Sequence, residues 1–344
     1  AAAFLAADLG MDVTLVDPEA NPGGVCLYRG CIPSKALLHV AKVIHESRAA
    51  RNWGVNFEEP AIDLDRMRAW KNEVVGKLTG GLGQLSKRRK VTYLRGTARF
   101  MDARTVHVRK EGGDEETLAF EHAIIATGSG PTVIPGFPDS PRVLDSTTAL
   151  ELEDVPERLL VVGGGYIGLE LGTVYAALGS KVTVVEMLDS LLPGVDADLV
   201  RPLSRKLEGE LEAVHLKTRV AAIKERKNGL EVEFEGEGGS PPAGVFDRVL
   251  VAVGRRPNAT ELGLETTGIQ PTPEGFIPVD AKRRTAEGSI FAIGDVAGQP
   301  MLAHKASHEG RTAVEAIRGD DVIFRPAAIP AVVFTCLLYT SPSP

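Results

Sequence analysis

The chain has 344 residues, of which 43% are hydrophobic and 25% are charged, as is usual for a globular protein of two or three domains. The net charge is −7 and no long Lys/Arg-rich run is present, which argues against a nucleic-acid-binding surface. The sequence contains no run of about 20 apolar residues, so no membrane span is predicted. Three cysteines in this length fit a reducing compartment better than a secreted, disulfide-rich scaffold.

The first predicted elements are a helix and a strand. Residues 1–10 are rich in alanine and leucine, which predicts a helix, and residues 12–16 form an apolar strand that is followed by Asp17. This order is typical of the second half of a βαβ dinucleotide-binding unit. We therefore expect the first strand and its Gly-x-Gly-x-x-Gly turn to belong upstream of Ala1.

Two cysteines, Cys26 and Cys31, lie in a glycine-rich run that leads into a helix predicted from Ser34. Four intervening residues suit one helical turn, and a disulfide requires Cα atoms within about 7 Å. No other cysteine or histidine cluster lies near them, whereas structural zinc takes about four ligands, so a metal site is not expected. A helix N-terminus favours thiolate. We interpret the pair as a redox-active dithiol/disulfide, with two buried, reduced cysteines as the alternative.

A charge-rich helical stretch is predicted between residues 56 and 90. Glycines from Gly76 to Gly83 are expected to interrupt it. The basic run at residues 87–90 is interpreted as a solvated face.

A second nucleotide motif follows. The apolar strand at residues 159–162 leads into Gly163-x-Gly165-x-x-Gly168, then into a helix to about Leu178, and the strand at residues 181–185 ends at Glu186. Glycines in this context allow a tight turn and close approach of a pyrophosphate to the helix N-terminus. Glu186 can accept hydrogen bonds from ribose hydroxyls and would repel a 2′-phosphate, which predicts NAD rather than NADP. The alternative for Glu186 is a solvated carboxylate at a strand end.

Three further apolar strands end in glycine, at residues 123–128, 249–254 and 289–294. Each is predicted to be a buried parallel strand whose final glycine lets the backbone pass close to a ligand.

The run from Gly23 to Lys35 (GGVCLYRGCIPSK), with these motifs in the same order, resembles the flavin-dependent pyridine-nucleotide disulfide oxidoreductases. The likeness extends from about residue 1 to residue 335 and is closest to the members that oxidise dihydrolipoamide. Tyr28 and Arg29 differ from the Asn and Val that are frequent there.

The resemblance implies an α/β fold with two Rossmann-like domains. Residues 1–141 and 263–325 would form the FAD domain, and residues 142–262 the NAD domain. Residues 326–335 would begin a C-terminal interface domain that is otherwise missing, and residues 336–344 match nothing in the family.

The resemblance also assigns roles to single residues, with no metal ligands among them. The expected catalytic residues are Cys26, Cys31, Lys35 and Glu170. The expected FAD-binding residues are Asp17, Gly24, Lys35, Ala98, Thr127, Gly128, Ser129, Gly294, Asp295 and Ala303. The expected NAD-binding residues are Gly163, Gly165, Tyr166, Ile167, Gly168, Glu186, Val220 and Gly254.

The implied reaction passes two electrons from dihydrolipoamide through the disulfide and FAD to NAD. Cys26 would exchange with the substrate, Cys31 would lie against the flavin, and Lys35 would pair with Glu170 near it. Tyr166 would cover the nicotinamide pocket, and a histidine of the partner subunit's interface domain would act as the base.

The implied partners are a second copy of the chain and the lipoyl domain of an acyltransferase or of a glycine-cleavage carrier protein, in a bacterial cytoplasm or a mitochondrial matrix. Neither nucleic acid nor a membrane is an expected partner. A glutathione reductase-like or mercuric reductase-like enzyme is the rival within the family, and a flavoprotein without turnover is the rival outside it.

The chain on its own is expected to be poorly soluble, to bind FAD weakly and to be inactive, since it lacks the first FAD-binding turn and the interface domain. An assay of lipoamide-dependent NADH formation by the expressed chain tests this expectation. Measurable turnover would contradict it and would require a base within residues 1–344.

Overall fold

The computed structural model describes residues 1–237 and 241–335, so the predicted non-family tail lies outside the described residues. The helices are α1 Ala2–Asp8, α2 Gly24–Arg29, α3 Cys31–Ala49, α4 Leu64–Arg88, α5 Thr148–Glu151, α6 Tyr166–Leu178, α7 Ala197–Glu210 and α8 Ala303–Arg318, with short 3-10 helices at Ala50–Trp53, Leu264–Thr266 and Gly294–Ala297.

The strands are β1 Thr14–Asp17, β2 Thr92–Phe100, β3 Thr105–Lys110, β4 Glu115–Ala119, β5 Ala123–Ile125, β6 Ser129–Pro131, β7 Val143–Leu144, β8 Arg158–Val162, β9 Lys181–Val185, β10 Ala213–His215, β11 Thr218–Arg226, β12 Gly229–Gly236, β13 Gly244–Phe246, β14 Arg248–Val251, β15 Arg255–Pro257 and β16 Ile290–Ala292.

The chain divides into two compact units. The first unit contains Ala1–Tyr28, Gly76–Gly130 and Arg255–Ala331, and the second contains Arg29–Val75, Pro131–Gly254 and the described residues from 332. This division differs from the predicted FAD and NAD domains mainly in placing Arg29–Val75 with the second unit. The assignment of a cofactor to each domain stays a prediction.

The first unit contains a four-stranded sheet in the order β1-β2-β3-β4, in which β1 and β2 are parallel and the other neighbours antiparallel. Strand β5 pairs in parallel with β16. Successive residues of β16 pack into two different apolar clusters, Ile290 and Ala292 into one and Phe291 into the other. Because side chains alternate across a strand, this strand is buried on both faces.

The second unit is built on a five-stranded sheet in the order β10-β9-β8-β14-β7, and every neighbouring pair in it is parallel. Strand β8 again divides its residues, with Leu159 and Val161 in one cluster and Leu160 and Val162 in the other. Burial on both faces explains why these strands are continuous apolar runs. The predicted buried parallel strands are confirmed for β14 and β16, whereas β5 is parallel but only partly buried. Strands β11, β12 and β13 form a separate antiparallel sheet.

Two helices differ from the sequence expectation. Helix α3 begins at Cys31 rather than Ser34, because the Ser34 N–H donates to the Gly30 carbonyl (3.1 Å) and closes a first helical turn. Pro33 is tolerated in this turn, because the first N–H groups of a helix have no partner within the helix and proline lacks only such a group.

None of the helices within residues 1–237 and 241–335 has the length and apolar run that crossing a bilayer needs.

The charge-rich stretch between residues 56 and 90 was expected to be interrupted at Gly76 to Gly83. This prediction is wrong, since α4 runs without a break through these glycines. Glycine costs a helix about 1 kcal/mol but does not forbid it. At Gly83 the absence of a side chain makes room for Asn21, because a Cβ there would collide with the Asn21 amide oxygen.

Two glycines of α4 give a matched test of this difference. Gly76 is exposed and a Cβ there meets no atom within 4 Å, so Gly76→Ala should raise the free energy of unfolding by about 0.5–1 kcal/mol. Gly83→Ala should give no such gain, because Asn21 must move. Chemical denaturation of both variants measures the difference, and equal stabilisation at the two positions would contradict it.

Candidate functional site

The two cysteines of the redox segment lie on consecutive helices. Cys26 is half-buried in α2, and Cys31 is the exposed first residue of α3, after Gly30. The Ser34 hydroxyl donates to the Cys31 carbonyl (3.2 Å). A thiol in the first turn of a helix lies where the macrodipole favours thiolate, so the local structure supports a reactive Cys31. The bond between the two sulfurs stays a prediction.

Lys35, one turn after Cys31, pairs with Glu170 of α6, and the sequence had indicated this pair. The ammonium lies 2.7 Å from Glu170 Oε2, and only 3% of the Glu170 side chain is exposed. Lys35 Nζ also donates to the Ser34 hydroxyl (3.3 Å). A buried carboxylate requires such a partner, because burial of an unpaired charge is costly. The pair therefore fixes a positive charge one turn into the redox helix.

Phe334 also belongs to this cluster in the second unit, although no sequence pattern had indicated it. Its backbone N–H donates to Glu170 Oε1 (3.1 Å), and its ring lies 4.8 Å from Lys35 Nζ in a cation–π geometry. In the sequence, Val332-Val333-Phe334 is a short apolar run like any core segment. Both oxygens of Glu170 are thus held, one by Lys35 and one by the Phe334 backbone.

The second nucleotide motif forms a tight strand–turn–helix. A Cβ on Gly163 would collide with the Ala252 carbonyl, and one on Gly168 would collide with the Gly163 carbonyl. At Gly165, the N-cap of α6, a Cβ would meet nothing within 4 Å. Among the described residues no side chain caps this helix. The missing side chain at Gly165 leaves room at the start of the helix, where first-turn N–H groups commonly bind an anion.

Glu186 is buried (7% exposed) and lies against this turn. Its Oε2 accepts the Gly164 N–H (2.7 Å) and its Oε1 accepts the Leu188 N–H (2.8 Å). The alternative of a solvated strand-end carboxylate is therefore wrong. A carboxylate has about four acceptor sites, so two remain for ribose hydroxyls.

Four more predicted NAD-binding residues lie in the second unit. Tyr166 (exposed) and Ile167 (half-buried) open α6, Val220 lies on β11 beside a bulge, and the carbonyl of Gly254 accepts the Thr132 N–H (3.1 Å). The second unit thus contains every predicted NAD-binding residue, together with Lys35.

The first unit contains the predicted FAD-binding residues other than Lys35. Thr127, Gly128 and Ser129 follow β5, while Gly294 and Asp295 follow β16. Because these neighbouring strands are parallel, both loops leave the same sheet edge. The Ser129 hydroxyl donates to Asp295 Oδ2 (2.5 Å), which joins the two loops directly.

The remaining predicted FAD-binding residues lie elsewhere in this unit. Asp17 ends β1 and accepts the Glu19 N–H (2.9 Å), Gly24 begins α2 with φ +63°, Ala98 lies on β2, and Ala303 is the exposed first residue of α8. Strands β1 and β2 are parallel neighbours, which brings Asp17 and Ala98 to one sheet.

Two further residues bind these loops and were not assigned from the sequence. Arg255 donates to the Ser129 hydroxyl (2.7 Å) and carbonyl (2.5 Å). Asn258 donates its amide to the Thr127 carbonyl (3.0 Å), and the Thr127 hydroxyl donates to the Asn258 carbonyl (2.6 Å). The sequence signal for both residues is the motif Gly-Arg-Arg-Pro-Asn, which follows β14 and places polar side chains directly after a strand end.

This donor and acceptor set fits two dinucleotides. Carboxylates at Glu186 and Asp295 suit ribose or ribityl hydroxyls, and the uncapped α6 N-terminus suits a pyrophosphate. Within residues 1–237 and 241–335, no cluster of three or more His, Cys, Asp or Glu residues could hold a metal ion. Two dinucleotide sites and a dithiol segment at a helix N-terminus define a dinucleotide-dependent disulfide oxidoreductase.

The chain belongs to the pyridine nucleotide-disulphide oxidoreductase family, whose model matches residues 1–310. The dihydrolipoyl dehydrogenases of Haemophilus influenzae and Vibrio cholerae are 48% and 46% identical to it over 335 residues, which is 97% of this chain and 70% of each relative. The family match and the named relatives show that the chain is a disulfide oxidoreductase that uses FAD and NAD.

Two solved structures are similar in fold to this chain. The crystal structure of LpdA from Mycobacterium tuberculosis matches with a TM-score of 0.88 at 26% identity, over 97% of this chain and 72% of that one. The Cu(II) complex of the HOCl-induced flavoprotein disulfide reductase RclA from Escherichia coli matches with a TM-score of 0.79 at 29% identity, over 93% of this chain and 68% of that one. The predicted α/β fold is confirmed.

Glu186 gives a testable consequence. Glu186→Ala removes the acceptor of two backbone N–H groups and the predicted acceptor of the ribose hydroxyls, so it should weaken NAD binding by about tenfold or more and lower the melting temperature. Asp189→Ala, an exposed carboxylate three residues later, is the matched control and should change neither quantity. Calorimetric titration with NAD and a thermal melt measure both, and equal effects of the two variants would contradict the assignment.

Proposed function

We propose that this chain carries the dithiol, the FAD site and the NAD site of a dihydrolipoyl dehydrogenase, which oxidises protein-bound dihydrolipoamide to lipoamide and reduces NAD. The main support is the ion pair of the half-buried Lys35, one helical turn after Cys31, with the buried Glu170. The names of the relatives supply the substrate.

The substrate step is thiol–disulfide exchange. A thiolate of dihydrolipoamide attacks Cys26 Sγ, the Cys26–Cys31 bond breaks, and Cys31 leaves as a thiolate. The second substrate thiol, once deprotonated, attacks the substrate sulfur of the mixed disulfide. This releases lipoamide and leaves Cys26 reduced. Two electrons have then passed to the protein dithiol.

The surroundings of Cys31 favour it as the leaving and electron-donating sulfur. It lies in the first turn of α3, where the helix dipole favours negative charge. Lys35 places an ammonium one turn later, and its position is fixed by the ion pair with Glu170. A thiol with a lower pKa leaves faster in exchange.

FAD, when bound, would supply the two-electron chemistry that links the dithiol to NAD. The chain's own residues bind and orient the two cofactors. Asp295 and Ser129 would bind the flavin cofactor, Glu186 would accept the ribose hydroxyls of NAD, and the first turn of α6 would bind its pyrophosphate. The buried Glu186 carboxylate disfavours a 2′-phosphate, which argues against the NADP-dependent glutathione reductase-like alternative.

The proposal also covers the domain boundaries, the partners and the cellular location. Residues 1–141 and 263–325 would form the FAD domain, residues 142–262 the NAD domain, and residues 326–335 the start of the interface domain. A second copy of the chain and the lipoyl domains of a 2-oxo acid dehydrogenase complex are the proposed partners. A cytoplasmic location is proposed on the bacterial origin of the relatives.

The two cysteines can be told apart by spectroscopy of FAD-loaded protein in which this chain is extended to the full length of its relatives. Dihydrolipoamide should produce long-wavelength absorbance from the Cys31 thiolate beside the flavin. Cys31→Ser should abolish this absorbance, whereas Cys26→Ser should show it before any reductant is added. The opposite pattern would overturn the assignment of the two sulfurs.

The substrate is tested with the same parent protein. Dihydrolipoamide should reduce it and reduced glutathione should not, and NADH should reduce it faster than NADPH. Reduction by glutathione, or a preference for NADPH, would overturn the proposed substrate and cofactor.

A further inference from the structure

Three charged side chains are buried together next to the turn at Gly294–Ala297. Lys305 and Glu309, one turn apart on α8, have 4% and 0% of their side chains exposed, and Arg283 has 14%. Lys305 Nζ lies 3.2 Å from the Glu309 carboxylate, and Arg283 Nη1 lies 2.9 Å from it. No role in binding or catalysis has been assigned above to any of the three.

The cluster holds the backbone of the turn at both of its ends. Glu309 Oε2 accepts the Gly294 N–H (2.6 Å), and Lys305 Nζ donates to the carbonyls of Gly294 (3.2 Å) and Gly298 (2.9 Å). Both polar backbone groups of Gly294 are therefore bound by side chains of α8. Gly294 has φ +75°, and a Cβ there would lie 3.1 Å from Ala306 of the same helix.

A stability role alone does not account for this arrangement. Replacing a buried ion pair with apolar side chains of similar size is often neutral or stabilising, so such a pair is weak evidence for stability. Fixed charges differ from apolar contacts in that they select one backbone conformation. The conformation selected here presents Asp295, whose carboxylate accepts the Ser129 hydroxyl.

We infer that Lys305 and Glu309 are positioning residues that hold the Gly294–Asp295 turn in the conformation that binds FAD. This inference rests on the proposed function only in taking Asp295 as a flavin-cofactor ligand. Residues behind a ligand commonly set its geometry, and their loss weakens binding by about tenfold or more.

The same helix offers a matched control. Arg311 and Glu315 form another i,i+4 pair (2.7 Å), but Arg311 is 69% exposed. An exposed pair of this kind contributes little. Arg311→Met/Glu315→Leu thus repeats on α8 the chemistry of Lys305→Met/Glu309→Leu without reaching the turn.

Amide hydrogen exchange of the chain without cofactor tests the inference directly. Lys305→Met/Glu309→Leu should leave the chain folded but lower its melting temperature, because Arg283 and the backbone of Gly294 lose their partners, while exchange in peptides covering residues 293–298 becomes at least about tenfold faster. The control double variant should leave that exchange unchanged. Unchanged exchange in the first variant overturns the inference, and so does its global unfolding, which would assign the pair to stability.

FAD titration adds a second readout. The Lys305→Met/Glu309→Leu variant should bind FAD about tenfold or more weakly and alter the visible circular dichroism of the bound flavin, whereas the control should do neither. Lys305→Arg, which keeps charge and donors, should restore part of the affinity. A parent that binds no FAD would count against the proposed function for this chain, and the exchange measurement would still decide the inference.

Discussion

Close approach of backbone to backbone is the constraint on which the nucleotide-binding turns depend. At Gly163 and Gly168 a single added carbon would collide with a carbonyl oxygen, so the strand β8, the turn and the helix α6 can meet only where no side chain intervenes. The same turn is then closed from its other side by the Glu186 carboxylate, which takes the Gly164 N–H. Turn, helix N-terminus and carboxylate form one arrangement, in which moving any part displaces the others.

Much of this arrangement was predictable from the sequence because each part has its own local signal. A continuous apolar run predicts a strand buried on both faces, and β8, β14 and β16 have that environment. The glycine spacing predicted the start of α6, and Gly179 predicted its end, where the chain takes φ +115°. Lys35 and Glu170 were predictable as partners only through the family likeness, because 135 residues separate them in the chain.

Other features were not predictable, because tertiary contacts decide them. The glycines of α4 carry a local signal for interruption, but the helix is continuous through them, because glycine raises the cost of a helix without forbidding it. The burial of Glu186 and the bonds of Asn258 to Thr127 depend on which loops the fold brings together. Lys305 and Glu309 have the spacing of an ordinary surface pair and are distinguished from Arg311 and Glu315 only by burial.

The Glu170 carboxylate has a consequence for thermodynamic linkage within the second unit. One of its oxygens binds Lys35 on the redox helix, and the other binds the backbone of Phe334 among the last described residues. A movement of Phe334 that breaks its N–H bond to Glu170 leaves Lys35 as the partner of the carboxylate. A change in charge near Lys35 alters the strength of the bond between Glu170 and the Phe334 backbone. Such coupling is reciprocal by necessity. If the dithiol changes its redox state as proposed, Glu170 is the side chain through which that change would reach the segment at residues 332–335.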